Sequence, residues 1–348
     1  MAYTTIDKPT DYFNIVLYTG NGGTQSITGV GFAPNWVWGK SRSVTEGNAV
    51  HDTVRGARKN ILTNTTAAEE DIASITAFGS DGFTLGSNAH LNKNNSSMVA
   101  WNWKAGTSFT NDASSTGVGS IDSTGSVNTD AGFSIISYTG NGNSGQTIAH
   151  GLGSTVDMVI VKDRSRNGEN WVIYHKSLGK DKLLLFNADA AATSSNYWGS
   201  STPNSTVFGV KDGNTSNNWS GDNFIAYCFA GKKGYSKFGT YLGNSSTNGT
   251  FVYTGFKPAW IMVKKTNSAN DEWNIFDNKR DPFNVMTKRL VANVAAADAA
   301  GTYVDFVSNG FKWRINNNLA NGDGNTYIYM AFAENPFVTS TGVPATAR

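Results

Sequence analysis

The sequence predicts an all-β protein of three antiparallel β-sandwich units in series, of jelly-roll or concanavalin-like type, with few short helices. Three observations predict it. Glycine is frequent, 38 of 348 residues, while charged residues reach only 16%. Loops rich in Gly, Ser, Thr and Asn separate short apolar runs, the pattern of a β-protein with many tight turns. Four landmarks also recur three times in the same order, the mark of an internal repeat.

The first landmark is a Tyr-Thr-Gly-Asn-Gly turn at Tyr18 and Tyr138, looser at Tyr241. The second is an apolar strand ending in lysine: Trp36 to Lys40, Met158 to Lys162, Trp260 to Lys264. The third is a turn and strand beginning at Ser80, Ser205 and Ser308. The fourth is a closing strand with alternating large residues. Val99, Trp101 and Trp103 occupy the places of Ile225, Tyr227, Phe229 and of Ile328, Met330, Phe332. Alternate side chains of a strand share a face, so these residues are expected to line a buried one.

The lysines recur at intervals of roughly 100 to 120 residues, enough for a small domain with its own core. The expected division is an N-terminal arm (1–11), a first unit (12–130), a second (131–236), a third (237–337) and a C-terminal tail (338–348). Residues 106–130, rich in Ser, Thr and Gly, read as a connector ending the first unit. Segments 63–74 and 291–301 read as short helices. Trp171 and Trp273 hold matching places, which favours packing over ligand contact, and Ala49 is expected there in the first unit.

Composition excludes several functions. A net charge of +2 offers nothing to nucleic acid or to an anionic membrane. Cys228 is the only cysteine, so no intrachain disulfide forms, and its apolar run predicts a buried, inert thiol. The start lacks the basic and apolar regions of a signal peptide, and no apolar run reaches bilayer length. Synthesis in a cytoplasm without membrane insertion is expected.

No constellation of an enzyme emerges. His51 and His175 fall at nearly matching positions, but Asp277 stands there in the third unit, so the repeat shares no catalytic histidine. Glycosidases need two carboxylates across a sugar. Glu69, Glu70 and Asp71 are consecutive on an expected surface helix, and Glu46, Glu169, Asp271 and Glu272 lie in variable loops. Asp212, Asn214, Ser216 and Asp222 offer oxygens at calcium-like spacing, without the glycine and glutamate of an EF-hand. Neither catalytic residues, a metal nor a cofactor is therefore expected. Tyr197, Trp198 and Trp219 are different: they are aromatics in polar loops with no counterpart in the other units. They are the candidate glycan contacts, since sugars are held by aromatic faces and loop polar groups on a rigid frame.

The opening "MAYTTIDKPTDYFNIVLYTGNG", the segments "VAWNWKAG", "AYCFAGKKGYSKFGTYLGN", "FDNKRD", "SNGFKWR" and "YIYMAFAENPF", and the end "NPFVTSTGVPATAR" resemble an uncharacterised virion-associated family of marine tailed bacteriophages. That resemblance spans nearly the whole chain. It implies a virion-associated protein, of tail-fibre or capsid-surface type, and with the absence of a catalytic constellation a non-enzymatic one is expected. The expected role is a tail-fibre or receptor-binding component that recognises host polysaccharide. The alternatives are a capsid decoration or vertex protein and, third, a glycan-cleaving tail enzyme. Other virion proteins are the expected partners, and a homo-oligomer, preferably a trimer, is expected because open sandwich edges need cover.

Overall fold

In each unit five strands form one antiparallel sheet in the same spatial order: a leading strand, the closing strand, the lysine strand, then a third and a fourth. The computed structural model describes residues 3–344. In the first unit these strands are Phe13–Thr19, Ser97–Trp103, Trp36–Ser41, Ala49–Asp52 and Lys59–Leu62. In the second they are Phe133–Thr139, Asn223–Phe229, Met158–Asp163, Val172–His175 and Lys182–Leu185. In the third they are Ser236–Leu242, Thr326–Pro336, Phe256–Lys265, Asn274–Asp277 and Met286–Val291. The registers agree residue for residue. Lys40 faces Val99, Lys162 faces Ile225, and Lys264 faces Ile328.

A smaller layer backs each sheet and completes the sandwich. Its core pairs are Gln25–Ile27 with Gly82–Leu85, Thr147–Ala149 with Val207–Gly209, and Phe251–Tyr253 with Gly310–Trp313. Each unit buries its own apolar cluster between the two layers, around Phe83, Phe208 and Phe311. The even-numbered residues of the second closing strand, such as Phe224 and Ala226, belong to this outer cluster.

The opposite faces do something the period-two pattern could not reveal. Trp101, Trp103, Tyr227, Phe229, Met330 and Phe332 are all buried in one cluster common to the three units. Trp36 stacks on Tyr227 across units with ring centroids 4.6 Å apart, and Trp103 meets Trp260 edge-on at 5.8 Å. The three sheets therefore turn their inner faces toward one axis, and the units share a core instead of standing in line with separate ones.

The seams between units repeat cyclically. Glu69 N–H donates to the Arg164 carbonyl, Ala192 N–H to Thr266, and Asp298 N–H to Arg42. Thus the first unit grips the second, the second the third, and the third the first. The lysines cross the same seams. Lys162 donates to the carbonyls of Glu169 in its own unit (2.9 Å) and Thr66 in the first (3.4 Å). Lys264 reaches Asp271 (2.7 Å) and Asp189 of the second unit (3.0 Å). Lys40 bonds Asn48 and the Val294 carbonyl of the third unit (2.8 Å). All three are buried. The repeated phrase is thus the clasp between neighbours.

This explains two departures from expectation. Segments 63–74 and 291–301 are extended or irregular, not helical. Their backbones run along the seams and supply the carbonyls and N–H groups just described, so tertiary bonding overrides alanine's helical propensity. Residues 106–130 are not a loose connector. Thr107–Asn111 and Ser123–Asn128 form a hairpin that extends the second sheet beside its leading strand.

The Tyr-Thr-Gly-Asn turns are anchors as well. The hydroxyls of Tyr18, Tyr138 and Tyr241 donate to the carbonyls of Leu91, Asn217 and Ala320. Asn92, Asn218 and Asn321 each accept the N–H of the turn asparagine. A Cβ at Gly20, Gly140 or Gly243 would collide with the carbonyl of Lys93, Trp219 or Gly322, so only glycine fits there. The first two residues of the N-terminal arm and the last four of the tail lie outside the described residues.

Candidate functional site

Where the threefold pattern holds, side chains serve packing. Function is better sought where one unit departs from it. The second unit departs most clearly in two loops, 196–199 and 211–222. Asn217 joins them by donating its amide to the Tyr197 carbonyl at 2.7 Å.

The three aromatic candidates separate here. Trp219 is 38% exposed, and the Arg166 guanidinium lies 4.9 Å from its ring centroid. Arg166 is fixed in turn by an ion pair with Asp222. Tyr197 is half-buried, with the Lys211 ammonium 5.1 Å from its ring. Beside it opens a cavity of about 450 Å³ whose lining includes Asn196, Lys180, Asp181 and Asp212. Trp198, expected on an exposed loop, is instead fully buried. It packs edge-on against Tyr174 at 5.7 Å and donates its indole N–H to the Lys182 carbonyl at 3.2 Å. A loop so rich in polar residues still folds its tryptophan inward, because the outer core of this unit has room for it. Trp198 can touch no sugar. Arg166, Lys211 and Asn217 were not singled out by sequence; Asn217 stands two residues before Trp219, whereas Arg166 is remote in sequence from the ring it covers.

The carboxylates are mostly engaged. Glu69 receives Arg164 at 2.9 and 3.0 Å and Arg55 at 3.2 Å, in a seam and not on a helix surface. Glu169 accepts from Ser216 at 3.1 Å, Glu46 pairs with Lys93 at 2.7 Å, and Asp271 pairs with Lys265. The calcium-like spacing is spent on local bonds: Asn214 caps the Ser216 N–H at 2.9 Å, and Asp222 holds Arg166. Among the described residues no group of three His, Cys, Asp or Glu converges as metal ligands would.

One acidic pair is unusual. Asp163 is buried, and burial, with help from the neighbouring Asp222 carboxylate, pushes its pKa up to about 6. One oxygen accepts the N–H of Ser165 at 2.6 Å and of Arg166 at 3.1 Å; the other is unpaired. Two carboxylates at a sugar bond must flank it with the sugar between them. Asp163 accepts the N–H groups of Ser165 and Arg166 while Asp222 pairs with the Arg166 side chain, so both carboxylates are engaged in bracing that loop.

The histidines are structural too. The residue matching His175 and Asp277 is Asp52, not His51, since all three face the start of the lysine strand in register. By the same alignment Asn48, not Ala49, holds the place of Trp171 and Trp273. The indole N–H groups of those tryptophans donate across seams to Leu62 and Leu185 at 3.0 Å, and the Asn48 amide makes the matching bond to Val291 at 3.2 Å. His51 is buried, and burial together with Arg55 holds its pKa down at about 3. Cys228 is buried, which pushes its thiol far above the ordinary range and keeps it unreactive.

A family profile described as a domain of unknown function, DUF7483, matches residues 8–336. No curated protein and no solved structure matches the chain.

Proposed function

We propose, for a chain that belongs to the DUF7483 family, recognition without turnover: a bacteriophage virion component of tail-fibre or receptor-binding type whose loops contact host-surface glycan. The observation that carries this reading is the division of labour inside the threefold frame. Residues common to the three units are buried and bonded across seams, whereas Trp219 is exposed, unique to one unit and held by Arg166. An aromatic face fixed on a rigid sandwich beside polar loops suits a sugar ring. Nucleophile, base and accessible acid pair do not come together around it, which favours binding over cleavage.

A capsid-bound role is the second reading. The internal threefold arrangement favours it, because a body with pseudo-threefold form suits a threefold position of a shell. Assembly with other virion proteins, and a homotrimer, belong to either reading. The test is adsorption. Trp219→Ala should weaken adsorption of particles to host cells while costing about 1 kcal/mol of stability, the worth of its contact with Arg166. Unimpaired adsorption, with the protein located on the capsid by electron microscopy, moves the role to the shell. Release of reducing sugar from host polysaccharide overturns both.

A further inference from the structure

The third unit has an open slot. Cavities of about 240 and 530 Å³ lie at the matching places of the first and second units, beside Asn14 and Gly151, so the slot of the third unit is set apart by its lining and not by its presence. In the second unit the hairpin of residues 107–128 lies along the leading strand, and Ser123 Oγ donates to the Ala149 carbonyl at 3.1 Å, closing the gap to the backing layer. In the first, the Asn14 amide spans the gap directly to the Val30 carbonyl at 3.0 Å. The third unit lacks such a hairpin. The carbonyl matching Ala149 is that of Tyr253, and Lys237 Nζ reaches it at 2.7 Å from the leading strand. Beside this bond lies a cavity of about 300 Å³ between the second and third units, with Phe238 in its lining.

Its walls are chemically distinctive. The Lys237 ammonium is 5.0 Å from the Tyr253 ring centroid, and the Lys233 ammonium 4.4 Å from that of Tyr3. The two tyrosine hydroxyls are 3.2 Å apart. Lys176, the third cation in the lining, is paired with Asp157 at 2.9 Å. Neither Lys233 nor Lys237 has an ion-pair partner among the described residues. Burial, and then Lys176, lowers the pKa of Lys237, which agrees with a surplus of positive charge. The places of Lys237 and Tyr253 are held by Asn14 and Thr28 in the first unit and by Ser134 and Ala149 in the second. Since those units keep the same backbone with neutral, smaller residues, the fold does not require this set.

We infer that the slot between Lys237, Tyr253, Lys233 and Tyr3 binds an anionic sugar, its carboxylate or sulfate between the two ammoniums and its ring against the tyrosines. Uncompensated lysines favour an anion, and aromatic walls favour a ring with an apolar face. This site is separate from the Trp219 loops and does not depend on the reading given for them.

The test is calorimetric titration of the full chain with glucuronate, glucose 6-sulfate and glucose. Both anionic sugars, or one of them, should bind, and glucose about tenfold or more weaker. Binding by one alone identifies carboxylate or sulfate as the native group. Lys233→Ala with Lys237→Ala should lower affinity for the anion about tenfold or more, whereas Lys59→Ala, at a surface lysine of the first unit, should leave it unchanged. Should the lysine double variant fail to fold, Tyr253→Ala, at an exposed position, should give a comparable loss. Glucose bound as tightly as the anions and lost with them in the lysine variant, no binding of either anion, or anion binding unchanged in that variant would overturn the inference.

Discussion

Tyr227 of the second unit donates its phenolic hydrogen to the Asp52 carboxylate of the first at 2.7 Å, in the interior of the shared core. Trp101 of the first unit makes the corresponding bond to Asp277 of the third at 3.0 Å. Met330 holds the third such place and has nothing to donate; opposite it stands His175. Each buried aspartate also pairs with an arginine three residues on, Arg55 at 2.5 Å and Arg280 at 2.6 Å. These arginines reach Glu69 and Asp298, which meet Arg164 and Arg42 of the next unit. The third seam reads His175, Leu178, Ala192 and Thr266 at the same positions. At these four positions two seams are therefore ionic and one is neutral.

The first prediction follows from those bonds. Tyr227→Phe should destabilise by about 1–3 kcal/mol, because it leaves a buried carboxylate one donor short. Met330→Leu, in the neutral seam, should cost less than about 1.5 kcal/mol. Denaturant unfolding measures both, and equal losses would contradict the assignment of the two seam types.

Arg280 gives a sharper test. Arg280→Leu strands Asp277 and Asp298 and should cost about 3–5 kcal/mol. Adding Asp277→His reproduces the His175 and Leu178 pair and should restore part of that loss, since one buried charge goes with its partner. A double variant less stable than the single one would show that the neutral seam does not transfer.

The buried lysines predict a dependence on pH. Burial lowers the pKa of Lys40 to about 7 and those of Lys162 and Lys264 to about 8. Between these values and the ordinary lysine range, the unfolded chain binds more protons than the folded one. Stability should therefore rise with pH from about 7 toward 10, by up to about 1.4 kcal/mol per pH unit for each lysine. The lowered histidines, His51, His150 and His175, act in the same sense at lower pH, and Asp163 opposes them below about 6. Unfolding measured at pH 7, 8 and 9 should show the rise, and Lys162→Met should flatten it. A flat profile in the parent protein would mean that these ammoniums stay charged.

Shared packing predicts cooperativity. Calorimetry of the whole chain should give one unfolding transition, and residues 131–236 alone should not fold, because their inner face would be bare. Trp103→Ala should cost about 3–5 kcal/mol and shift that single transition. Three separable transitions would restore the picture of independent units.

Much of this was legible beforehand because strands report burial by alternation. Val99, Trp101 and Trp103 announced an apolar face, and the lysine endings aligned the units correctly. The partner of that face was not legible: a residue bound for a common axis looks like one bound for its own sandwich. Alignment also slipped in the loop after the lysine strand, which is one residue shorter between Lys40 and Asp52 than between Lys162 and His175. That put Ala49 where Asn48 belongs, and His51 was matched to His175 by residue type although Asp52 holds the place. Trp198 misled for a different reason, since polar neighbours describe the loop and not the direction of one side chain.

The Ser340 N–H donates to the Asp7 carboxylate at 2.6 Å, so the two ends of the described chain meet where the third unit returns to the first. A circle closed in this way has no privileged opening. Joining those ends and cutting instead between the second and third units should keep the seam bonds of Glu69 to Arg164, Ala192 to Thr266 and Asp298 to Arg42. The threefold order lies in the seams and not in the direction in which the chain is threaded through them.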